Sequence, residues 1–161
     1  MDFQQRLEKA VQRGQKRSQA RSAADRAKAL SAEELKRLHS QYRLSLSDHI
    51  EQCIAALPNH FPGFQVETLY GDAGWGAAVK RDDMGRKSGG GRANFYSRLE
   101  VTVRPVSDAF VLELSAKGTI RNKEVFNRSH FEKLADVDMD TFAELADLWI
   151  LEYAELFAAA S

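Results

Sequence analysis

The chain has a single cysteine, Cys53, among 161 residues. No internal disulfide can form, which suits a reducing compartment. No uninterrupted apolar stretch approaches the roughly 18–20 residues that a membrane-spanning helix needs. The opening residues, Met1-Asp2-Phe3-Gln4-Gln5-Arg6, lack the apolar core of a secretory signal. These absences together point to a cytoplasmic chain without a membrane partner. Catalytic signatures are missing too: there is no Ser-His-Asp elbow, no HExxH and no carboxylate pair poised for acid–base work. Neither a catalytic residue nor a cofactor is therefore expected.

Only three prolines occur, and they mark two breaks. Pro58-Asn59-His60-Phe61-Pro62-Gly63 ends one segment, and Pro105 to Asp108 forms a turn. A hydrophobic fraction of 43% and a charged fraction of 29% are ordinary for a globular chain. A chain of this length buries a core without metal or disulfide staples. The reading is one domain over residues 31–161, preceded by a basic helical arm over residues 1–30.

Charge is unevenly placed. The sequence carries 23 basic and 23 acidic side chains and sums to zero. Residues 1–43 hold eleven Lys or Arg against five Asp or Glu, a net +6. Residues 135–161 hold seven Asp or Glu and no Lys or Arg, a net −7. Two such ends either meet, within one molecule or between two, or address different partners.

In the arm, Phe3, Leu7 and Val11 recur at helical spacing, and Gly14 then interrupts. No large apolar residue follows until after Ala29. Good helix formers with little to bury make a fraying or contact-ordered helix. Ser31-Ala32-Glu33-Glu34 reads as a capping box that starts a second helix. Its apolar stripe is Leu35, Leu38, Tyr42, Leu46, Ile50, Cys53 and Leu57. Four strand-like runs follow, at 64–70, 75–81, 95–104 and 110–117. The last two alternate cleanly between apolar and polar residues, which means an antiparallel sheet covered on one side. Residues 140–159 form a long amphipathic helix with Phe142, Leu145, Ala146, Trp149, Ile150, Tyr153, Leu156 and Phe157 on one face. The expected fold is α+β: long N-terminal helices, a four-stranded antiparallel meander and a C-terminal helix packed on one face. This element order is similar to that of small secretion chaperones, dimeric binders that hold partner segments. The likeness is one of topology alone and would imply a protein-binding role.

Two features bear on partners. At about 100° per residue, Leu148 and Leu151 project about 240° and 180° from Phe142, among Glu144, Asp147 and Glu155. Two leucines on an acidic face mark a contact surface for an intramolecular neighbour, a second copy or a protein partner, with Glu144 and Glu155 as its rim. The second feature is basic. Arg13, Lys16, Arg17 and Arg21 of the arm can meet an anion or nucleic acid. Arg86, Lys87 and Arg92 can do the same in the glycine-rich stretch 82–94, read as a hairpin tip. Its order of residues is wrong for a phosphate-binding loop, because Lys87 and Ser88 precede the glycines. Arg121, Lys123 and Arg128 interleave with Phe126 and Phe131 in a polar segment read as a loop. With Arg98, Arg104 and Lys117 of the open sheet face, that loop would make a basic concavity.

His49 and Cys53 stand four residues apart on the core helix, a spacing that can bind a metal or pair a thiol with a base. Only two ligands are visible, both on the apolar stripe, so packing roles are expected and no metal. His39 is about 15 Å along the axis from His49 and cannot share an ion with it. Taken together, the sequence favours a non-enzymatic protein-binding, adaptor or chaperone-like module. The alternative is a nucleic-acid- or ribosome-associated factor acting through the arm.

Overall fold

The computed structural model describes residues 2–86 and 89–160, at 27–30 for the backbone alone. Its elements are α1 (Phe3–Ala55), α2 (Leu57–His60), β1 (Gln65–Leu69), β2 (Trp75–Arg86), β3 (Arg92–Val103), β4 (Val111–Ile120), β5 (Lys123–Lys133), a 3-10 turn (Leu134–Asp136) and α3 (Met139–Ala160). They fall into two compact units, residues 1–37 and 38–161.

The first unit is helical from Phe3 onward. Gly14 does not interrupt it, and residues 31–34 are interior to α1 rather than a helix start. The two expected N-terminal helices are therefore one. A lone glycine costs a helix only about 0.5–1 kcal/mol against alanine. The Ala, Arg, Lys and Gln residues around Gly14 are strong helix formers and carry the backbone through it. Phe3, Leu7 and Val11 are exposed along one row.

The second unit is an α+β body. Its sheet has five strands in the order β1-β2-β3-β4-β5, each antiparallel to the next. The four expected strands are present, and β5 is the addition. Clean alternation put β3 and β4 in view: Ser97, Leu99, Val101 and Val103 face inward, as do Leu112, Leu114 and Ala116. The segment expected as an irregular loop is the hairpin partner of β4. Arg121 and Asn122 turn the chain with φ of 49° and 71°, and β5 pairs back along β4 with one shift at Gly118/Thr119.

Register explains why β5 looks irregular. Phe126, Arg128 and His130 stand opposite Gly118, Ala116 and Leu114, in the rows that face the helices. Phe131 falls on the other side and is 63% exposed. The polar and apolar faces of this edge strand are thus partly inverted. The Arg128 guanidinium makes a two-pronged pair with Glu152 of α3, and the Tyr153 ring sits edge-on to Phe126. An edge strand with inward charges is a common defence against edge-to-edge pairing.

The helix-side core joins Leu46, Ile50 and Ile54 of α1 to Phe142, Ala146, Trp149, Ile150, Tyr153 and Phe157 of α3. Leu145 and Leu156, expected on the same face of α3, lie nearer its edge; Leu156 is 38% exposed. The two helices run in the same direction, because His49 meets Asp147 and Phe61, past the end of α1, meets Phe157. Gly118 lets α3 come close to the sheet: a Cβ there would lie 3.1 Å from the Tyr153 ring. No helix among the described residues is long and apolar enough to cross a membrane.

Candidate functional site

Where α1 ends, it and α3 leave a groove of about 670 Å³. Its apolar wall comes from Ala56, Leu57, Phe61, Ile150, Leu151 and Ala154, and its polar edge from Cys53, His60, Asp147 and Glu155. The groove exists because α1 stops at Ala55 and the Pro58 turn diverts the chain, while α3 continues to Ala160.

The two leucines singled out by helical geometry are both outward. Leu148 is 60% and Leu151 is 63% exposed, so no neighbour within the described residues of the second unit covers them. Glu144 and Glu155 are exposed on the same helix. Leu151 and Glu155 border the groove directly; Leu148 and Glu144 lie outside its lining.

At the groove's edge three polar side chains meet. The His49 Nε2 lies 2.7 Å from Asp147 Oδ1, and the Cys53 Sγ lies 3.3 Å from the same oxygen. Sγ and Nε2 are 3.7 Å apart. The ionised carboxylate has no proton to give, so Nε2–H and S–H both donate to it. Burial, together with the hydrogen bond and negative charge of Asp147, pushes the Cys53 thiol up to about 11. A thiol held protonated beside an imidazole nitrogen that is itself donating is no nucleophile–base pair. Sequence reading saw His49 and Cys53 but not Asp147, whose place beside them follows from how α3 packs.

The basic candidates divide into two groups. Arg13, Lys16, Arg17 and Arg21 are exposed on α1. Arg6, Lys9, Arg13 and Lys16 line one shallow hollow along that helix. In the second unit several arginines are engaged. Arg98 pairs with Glu67 at 3.1 Å and Glu100 at 3.5 Å, Arg104 donates to the Ala73 carbonyl, and Arg121 stacks over Phe95. Arg128 is held by Glu152, whose carboxyl it keeps below the ordinary value. Arg86 and Arg92 are opposite each other at the end of the β2–β3 hairpin, and Lys123 opens β5. Lys87 lies outside the described residues. Of the cations expected to form a basic concavity, Arg98 and Arg104 thus have partners within the sheet and its turns, and Arg128 faces α3.

No family model, curated protein or solved structure matches this chain.

Proposed function

We propose that this chain is a non-enzymatic protein-binding module that associates with a second copy of itself. The observation that carries this reading is the acidic-rimmed apolar surface of α3, with Leu148 and Leu151 each at least 60% exposed beside the groove. Exposed leucines are unremarkable singly, but a pair beside an apolar groove marks a contact surface.

Charge selects the occupant. Residues 135–161 carry seven acidic and no basic side chains, so the complementary segment is basic and has an apolar row. The chain itself contains such a segment. Phe3, Leu7 and Val11 are exposed on α1, with Arg6, Arg13 and Arg17 on the adjoining side of the same helix. An amphipathic helix laid in an apolar groove is a recurrent recognition mode.

The test is sedimentation of the full chain. The expected mass is that of two chains, falling to one in the double variant Leu148→Glu, Leu151→Glu and in Arg13→Glu, Arg17→Glu. Thermal unfolding should keep its midpoint apart from the loss of association, since exposed positions usually matter by only about 0.5 kcal/mol. A single-chain mass at every concentration measured overturns the reading. So does a two-chain mass that both variants leave intact.

A second reading is favoured by one observation, the row of Arg6, Lys9, Arg13 and Lys16 along one helix face. Such a row can follow a phosphate backbone. Nucleic-acid binding whose affinity falls steeply with salt, and which Arg13→Glu, Arg17→Glu removes, would support it over self-association.

A further inference from the structure

We propose that His49, Cys53 and Asp147 form a three-ligand site for a borderline-soft divalent cation, with Zn²⁺ the best fit and the fourth position open to the groove. The donor atoms all lie within 4.8 Å of one another. For bonds of about 2.0–2.3 Å, a tetrahedral zinc centre needs ligand separations of about 3.3 Å (N···O), 3.6 Å (N···S) and 3.5 Å (S···O). The observed separations are 2.7, 3.7 and 3.3 Å. Only the N···O pair must open appreciably, and that is the pair drawn together by a shared proton.

The donors sit on packed elements. His49 and Cys53 are one turn apart on α1, and buried Ile50 and Ile54 beside them anchor that helix. Asp147 follows buried Ala146 on α3. All three are half-buried, so an ion there is partly shielded yet reachable. The donor set decides the metal. Thiolate, imidazole and carboxylate together suit Zn²⁺ or a neighbouring transition ion, whereas Ca²⁺ and Mg²⁺ take oxygen ligands.

Coordination balances as follows. The cation displaces the thiol proton of Cys53, which leaves to solvent; the Nε2 proton of His49 passes through solvent to Nδ1, so that Nε2 coordinates as a neutral imidazole; and the thiolate and Asp147 carboxylate together neutralise the two positive charges. Water, or a donor from whatever occupies the groove, completes the tetrahedron. The inference rests on the three ligand atoms and stands whether or not the groove binds a second copy.

The test uses the full chain with Co²⁺ and Zn²⁺ as probes. Co²⁺ should give a thiolate-to-cobalt charge-transfer band that saturates at one ion per chain and is bleached by Zn²⁺. Cys53→Ser should abolish the band. Asp147→Asn and His49→Gln should weaken Zn²⁺ binding by more than the roughly 10–100-fold that loss of an outer-shell partner costs. Far-ultraviolet circular dichroism checks that the variants fold. Should a variant not fold, Zn²⁺ protection of Cys53 from alkylation in the unmodified chain gives a separate readout, unambiguous because no other cysteine exists. Absence of both the band and the protection overturns the proposal, as does a band that survives in Cys53→Ser.

Discussion

Asp147 Oδ1 accepts from His49 Nε2 at 2.7 Å and ties α3 to α1 across 98 residues of sequence. The same oxygen accepts the Cys53 thiol from the next turn of α1. One carboxylate oxygen therefore fixes the tautomer of a histidine and adds to the burial that keeps a cysteine protonated.

The thiol is the easier of the two to follow. With its pKa raised to about 11, Cys53 should alkylate slowly near neutrality and accelerate only at high pH. Asp147→Asn removes the negative charge, so the rate profile should move to lower pH. It should not reach the ordinary value of 9.0, because burial is the larger cause of the shift and persists. Mass spectrometry of iodoacetamide adducts against pH measures this in chelator-treated protein. Superimposable profiles would show that Asp147 does not govern the thiol.

His39 makes the stability of the second unit pH-dependent. Its side chain is buried, 3% exposed, with Nε2 donating to the Arg104 carbonyl at 3.2 Å. Burial lowers its pKa below 6.5; the bond to the Arg104 carbonyl opposes the shift, and nearby Arg43 adds to it. A folded pKa below the unfolded one means that the unfolded chain binds the extra proton first. Full stability is then present above about 6.5 and is lost as pH falls from there through the folded value. The slope cannot exceed about 1.4 kcal/mol per pH unit for one group. Urea unfolding of the parent chain and His39→Gln should converge or cross as pH drops below 6.5. Parallel curves would remove His39 from the account.

Gly76 is held by the neighbouring strand. A Cβ at this position would lie 2.1 Å from the Val101 carbonyl oxygen and 3.0 Å from the Thr102 Cα. Neither is the end of a flexible side chain, so the β2–β3 pairing itself must move. Gly76→Ala should destabilise the body by about 1–3 kcal/mol, the range for forced overpacking. Ala73→Gly, in the exposed turn between β1 and β2, is a control that leaves the pairing untouched. Chemical unfolding that places Gly76→Ala with the control would show that the sheet accommodates a methyl there.

Local period carried much of the fold. Helical spacing marks the buried faces of α1 and α3, and strict alternation marks β3 and β4, because each face meets one environment along its length. The strand β5 was hidden for the opposite reason. Its helix-facing row holds Arg128 and His130, while Phe131 faces outward, so polarity no longer reports burial. The loop from 82 to 94 was likewise shorter than its composition implied: β2 continues to Arg86 and β3 begins at Arg92, with Asn94 bonded to Asp82 across the hairpin.

The sequence by itself determined the charge split, the two amphipathic helices, the sheet with one covered face and the outward course of Leu148 and Leu151, since each depends only on spacing along one element. Tertiary structure alone decided that Asp147 stands against His49 and Cys53, and that a groove opens where α1 stops. Such meetings depend on the direction and depth at which two helices settle on a common sheet, and no periodicity within either helix encodes that.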